Sequence, residues 1–202
     1  MINQKTREKN KELIKRYPFL MPYAYINDGQ GMEKYNYEFT MLDDMPYGWR
    51  RAFAPLLLEE LKAALEEDGL LETYRIDQIK EKWGSLHWYH RNFNDKADLI
   101  IDKYSEISEH VCAYCGKPDV SICKVGWVFP CCKECWEKNS GRVNTIQYEE
   151  AVDKASGNEI KESFAYRIYP NFVIVDISDT VKKVRERWKK LESDEIEDNL
   201  FL

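Results

Sequence analysis

Two cysteine pairs carry the most specific chemistry in this chain. Cys112-Ala-Tyr-Cys115 and Cys132-Lys-Glu-Cys135 each set two thiols three positions apart, with sixteen residues between the pairs. A tight turn with that spacing aims both sulfurs at one point, and two such turns supply the tetrahedral four-thiolate set of a structural zinc ion. Cys112, Cys115, Cys132 and Cys135 are the expected ligands, and Zn2+ is the expected cofactor. Four thiolates fill the shell, whereas a catalytic ion keeps a position open for water, so the metal is expected to be structural. Cys131 lacks the two-residue spacer to Cys135, and Cys123 falls inside a predicted hairpin; both read as small buried apolar residues.

Other reactive groupings are sparse. A metal-dependent nuclease of the HNH type needs histidines near its cysteines, and the three histidines are His87, His90 and His110, none between the pairs. On a strand, His87 and His90 point to opposite faces. Glu159-Ile-Lys161 with Asp119 offers the carboxylate-and-lysine set of a magnesium nuclease, although a chain that is 33% charged holds such triplets without purpose. Gly29-Gln-Gly31 lacks the third glycine and the strand-to-helix context of a nucleotide fingerprint. No catalytic residue is assigned, and the balance leans against an enzyme.

The elements that must position the cysteines follow from periodicity. A helix from about Ala52 to Glu67 is marked by Ala54, Leu57, Leu58, Leu61 and Leu65 at helical spacing, and a second runs from an Asn94 or Asp95 cap through Ile100, Ile101, Tyr104 and Ile107 toward Cys112. Tyr74–Lys82 and Ser85–Arg91 predict a hairpin turning at Trp83-Gly84. Alternation of Tyr35, Tyr37 and Phe39 predicts a strand over 35–41. Between the cysteine pairs a hairpin spans 120–129, and the second pair opens a helix that ends before Gly141. Beyond it, 143–152, 159–169 and 172–177 predict a three-stranded meander, followed by a helix over Val181, Val184, Trp188 and Leu191 capped by Ser178 or Asp179. Thr6–Tyr17 predicts a polar helix, and Asp28–Gly31 a turn.

The fold class is therefore α+β: an antiparallel sheet with amphipathic helices and a small treble-clef-like or ribbon-like zinc finger. Three regions are expected, an α+β part over 1–111, the finger over 112–141, and a meander with its helix over 142–202 that packs with the first part as one domain.

A formal charge of −6 over 202 residues excludes a general basic coat for nucleic acid. Local contact is left to the basic segment Lys5–Arg16 and to Lys117, Lys124, Lys133 and Lys138. No apolar run of about 20 residues predicts a membrane span, and the absence of an apolar leader in 1–16 places the chain in the reducing cytoplasm, where cysteines serve as thiols and metal ligands. Glu192–Leu202 is an acidic run ending in apolar residues, either a partner-binding tail or a frayed end.

Gly48-Trp-Arg-Arg-Ala-Phe-Ala-Pro-Leu-Leu-Leu, then Ile79-Lys-Glu-Lys-Trp-Gly-Ser-Leu-His-Trp-Tyr89, then the cysteine pairs resemble a family of short bacterial and phage proteins. Its signature is K-E-K-aromatic-G-x-L-x-aromatic-Y followed by C-x-x-C and a second metal pair, often C-x-x-H where this chain has Cys132 and Cys135. The likeness covers roughly 46–138 and implies architecture and a bacterial or mobile-element context, with no activity attached. Function is expected to be that of a zinc-binding interaction or regulatory protein with an unidentified protein partner. A nucleic-acid-binding protein is the alternative, and a divalent-metal nuclease the second alternative.

Overall fold

A computed structural model describes residues 4–22, 35–140, 146–168 and 170–194. The elements in order are α1 (Gln4–Arg16), α2 (Tyr47–Ala52), α3 (Ala54–Glu67), β1 (Arg75–Lys82), β2 (Ser85–Arg91), α4 (Asp95–Ser108), β3 (Ile122–Val125), β4 (Trp127–Pro130), α5 (Lys133–Ser140), α6 (Tyr148–Ala151), β5 (Ser163–Ile168), β6 (Asn171–Asp176) and α7 (Ser178–Glu192), with short 3-10 turns at Pro18–Leu20 and Met41–Asp44. The described strands pair as three antiparallel hairpins, β1–β2, β3–β4 and β5–β6.

Leucine spacing decides the main core. Leu57, Leu58, Leu61 and Leu65 of α3 are fully buried and face Ile101, Tyr104 and Ile107 of α4, with Ile76, Ile79, Leu86 and Trp88 of the first hairpin closing the layer. Each such side chain contributes about 1.5–3 kcal/mol through the apolar area removed from water. Asn94 caps α4 as expected, its Oδ1 accepting the Ala97 N–H at 2.7 Å. The Tyr104 hydroxyl, buried by the same packing, donates to Glu60 Oε1 at 2.9 Å.

The β1–β2 hairpin turns at Trp83 (φ 59°) and Gly84 (φ 88°), the mirror-image turn that matches strand twist and suits Asn-Gly. A tryptophan in that left-handed conformation costs about 1–2 kcal/mol. Leu86 and Trp88 sit in the core as their alternation requires, whereas Trp83 is 74% exposed.

Several expectations are corrected. Residues 35–41 form no strand: Tyr37 adopts φ 58°, and its carbonyl accepts the side-chain amide of Asn10 at 2.9 Å instead of a ladder bond. The meander is a two-stranded hairpin, because Tyr148–Ala151 closes one helical turn on the Gln147 carbonyl. Neither Ser178 nor Asp179 caps α7; Ile177 is the cap residue, and Asp176 Oδ1 accepts the Ser178 N–H at 2.9 Å. The expected turn at 28–31, the first residues of the meander at 143–145 and the acidic tail beyond 194 lie outside the described residues. No described helix is long and apolar enough to cross a membrane.

Candidate metal centre

A short hydrogen-bonded knuckle sets the first cysteine pair. The Cys112 N–H donates to the Lys117 carbonyl at 2.8 Å and the Gly116 N–H returns to the Cys112 carbonyl at 2.9 Å, with Gly116 at φ 90°, where a β-carbon is disfavoured. The Ala113 N–H reaches the Pro130 carbonyl at 3.0 Å, so the end of β4 is tied to the knuckle just before Cys132. Cys132 stands immediately ahead of α5 and Cys135 lies in its first turn, where the Cys135 N–H donates to Cys132 Sγ at 3.4 Å. A helix start favours a thiolate for the same reason that it favours other anions.

These elements bring Cys112, Cys115, Cys132 and Cys135 together, with all four sulfurs within 4.8 Å of one another. Cys115 Sγ and Cys132 Sγ are 3.7 Å apart. Thiolates about 2.3 Å from a tetrahedral ion stand about 3.8 Å apart, so the four groups fit a metal without moving the backbone. Among the described residues this is the one cluster of His, Cys, Asp and Glu with that convergence.

Hydrogen bonds from the Cys115, Cys131 and Cys132 thiols pull Cys112 far below the ordinary thiol value, and the same bonds to Cys112 push Cys115, Cys131 and Cys132 up. Burial raises Cys135 to about 12. A divalent cation held by Cys112, Cys115, Cys132 and Cys135 would displace the remaining thiol protons.

Cys123 and Cys131 take the packing role expected of them. Both are fully buried in a second, smaller apolar cluster with Val120, Trp136 and Ala151, and Cys131 turns its thiol to the Cys132 carbonyl at 3.3 Å. Tyr148 closes the cluster through a hydroxyl bond to the Cys131 carbonyl at 3.1 Å.

The sequence reading missed what holds this lobe to the main core. Trp49 Nε1 donates to the Val111 carbonyl at 2.8 Å, and the Gly48 N–H donates to the Ala113 carbonyl at 2.9 Å. On the far side, Arg185 of α7 makes two 2.9 Å bonds to Asp119, whose Oδ1 also accepts the Ile160 N–H at 3.0 Å. A Gly-Trp pair at the start of an amphipathic helix was the available signal; the Asp119–Arg185 pair, 66 positions apart, had none.

No family model, curated protein or solved structure matches the chain. Asp119, Glu159 and Lys161 do line one cleft, but both Asp119 oxygens are engaged by Arg185. His90 is half-buried against Phe93 at a ring separation of 4.3 Å, and His110 is buried at the end of α4; His87 stacks on Tyr89 on the opposite face of β2. Of the four lysines of the cysteine lobe, Lys117, Lys124 and Lys133 are paired with Glu134, Asp153 and Glu149, and Arg7 and Arg16 of α1 are paired with Glu38 and Glu59. These pairs reduce the positive charge that either region offers to phosphate.

Proposed function

We propose that the protein is a zinc-binding interaction protein in which the metal is structural and clasps a lobe onto a helical core. The observation that carries this reading is the closed set of four convergent sulfurs, which completes a tetrahedron and leaves no ligand position for water. Zinc is favoured over harder ions because all donors are thiolates, and over disulfide chemistry because all six cysteines are free. Free thiols also support a reducing, cytoplasmic setting. The order of knuckle, hairpin and helix start supports a treble-clef-like lobe, and the likeness to short bacterial and phage proteins supports a mobile-element context.

Elemental analysis of the purified chain tests the reading. One zinc per chain is expected, falling to none in Cys115→Ser, and removal of the ion by a chelator should lose near-UV signal from Trp136 while far-UV helix signal from α3 and α4 persists. A chain that binds no zinc, or a Cys115→Ser variant with undiminished zinc, would overturn it.

A further inference from the structure

We infer that the tip of the β1–β2 hairpin, where Trp83 is exposed and the metal-held lobe brings Trp127 against Glu81, forms with the lysines of the hairpin's outward face a binding platform for single-stranded nucleic acid. It rests on the zinc reading in one respect, since Trp127 is presented by β4 of that lobe.

The register assigns the two faces. Ile79 pairs with Trp88 and Glu81 with Leu86 toward the core, so Gln78 opposite Tyr89, Lys80 opposite His87 and Lys82 opposite Ser85 point outward. Tyr89 is 42% exposed, and Lys80 Nζ lies 4.9 Å from its ring centroid. Lys82 is exposed and has no carboxylate partner among the described residues. The outward residues are thus Tyr89 and His87, the lysines Lys80 and Lys82, and the neutral Gln78 and Ser85, with the one bulged carboxylate, Asp77, already paired with Arg91.

At the tip, the fold gives no reason for Trp83. It occupies a left-handed position that asparagine would fill with less strain, and its ring is left in water. Strain combined with exposure is the mark of a side chain retained for something outside the fold. Trp127, 67% exposed, lies beside the same turn. Glu81 Oε1 accepts the Gly84 N–H at 2.7 Å while its Oε2 accepts Trp127 Nε1–H at 3.0 Å, and a Cβ on Gly84 would touch Val128 of β4 at 3.4 Å. Glu81 thereby fixes both the turn that carries Trp83 and the Trp127 ring.

Exposed aromatic rings at the tip beside Lys80, which is held by Gln78 at 2.7 Å and by the Tyr89 ring, and Lys82 match the two needs of a single strand, which offers unstacked bases to rings and phosphates to cations. A duplex hides its base faces. The aromatic rings would suit a protein interface as well; it is the lysines, depleted at protein interfaces, and the absence of aliphatic side chains on the outward face that favour a nucleic-acid strand.

The full-length, zinc-loaded chain is titrated into labelled oligothymidylate and oligouridylate of about 20 nucleotides, and into a matched duplex, with anisotropy as readout. Both single strands are expected to bind at least tenfold more tightly than the duplex. Preference for the uridylate assigns RNA as the natural source, and preference for the thymidylate or equal binding assigns DNA or a sugar-independent platform. Trp83→Asn is expected to weaken binding about tenfold while the turn becomes more stable, a split that misfolding cannot produce. Lys80→Ala with Lys82→Ala should flatten the salt dependence by about 1.4 in log–log slope, two contacts at about 0.7 each. Absent binding by zinc-loaded protein, equal affinity for duplex, unchanged affinity in Trp83→Asn, or saturable binding of peptides alone overturns this inference and leaves the zinc reading standing. A chain that binds the strands but holds no zinc overturns the zinc reading alone.

Discussion

Gly48 and Gly116 meet backbone to backbone: a Cβ built on Gly116 would lie 2.6 Å from the Gly48 carbonyl oxygen, and one on Gly48 would lie 2.2 Å from the Cys112 carbonyl oxygen. No side chain fits at either position without moving the knuckle or α2. Gly48→Ala is therefore expected to lose about 3 kcal/mol or more, since the obstacle is backbone that cannot rotate away. Gly69, which has φ 67° but nothing within 4 Å, is the control; its alanine variant should lose only about 1–2 kcal/mol. Urea midpoints at constant slope measure both, and equal losses would contradict the contact.

The ligand set predicts unequal cysteines. Serine at 112, 115, 132 or 135 should each abolish stoichiometric metal, whereas Cys123→Ser and Cys131→Ser should retain it and lose about 1–3 kcal/mol for a buried hydroxyl in an apolar cluster. Metal content and thermal midpoint on the same samples decide the matter. Lost metal in Cys131→Ser would move the ligand assignment.

Asp119 and Arg185 pin the rim of the lobe to α7. Both side chains are about one-third exposed, so the pair is expected to contribute only about 1 kcal/mol in a double-mutant cycle. Asp119→Ala alone should cost more than the cycle term, because the Ile160 N–H also loses its acceptor.

Two histidines withdrawn from water, His110 buried and His90 half-buried, predict acid sensitivity. Burial lowers both His90 and His110 below the ordinary value of 6.5, against the opposing pull of Asp98 on His90. The unfolded chain takes up these protons near pH 6.5 while the folded chain resists them, so stability is full above that pH and is lost as pH falls through and below it. Replacing both with glutamine should flatten the fall in urea midpoint between about pH 7 and pH 5 relative to the parent chain. An unchanged slope would exclude the histidines as its cause.

Periodicity made α3, α4 and the first hairpin legible, since Leu57, Leu61, Tyr104 and Trp88 repeat at the spacing of the face that they bury. The converging cysteines were equally legible, because metal geometry is local in sequence within each pair. Alternation misled at Tyr35, Tyr37 and Phe39, where aromatic residues pack on one another without a partner strand. The hold of Gly48 on the knuckle left only the Gly48-Trp49 pair as its trace, because a close approach is recorded by the absence of a side chain.

The Gly48–Gly116 contact has a consequence for the order of assembly. The knuckle bearing Cys112 and Cys115 is seated by α2 and Trp49, groups that belong to the main core, whereas Cys132 and Cys135 arrive on α5. Once the core has condensed, an incoming ion meets a half-built cage and has only one pair left to recruit. Capture would then be a loop closure of sixteen residues rather than the gathering of four dispersed thiols, so metal mixed with the already folded chain should be taken up faster than metal added at the start of refolding.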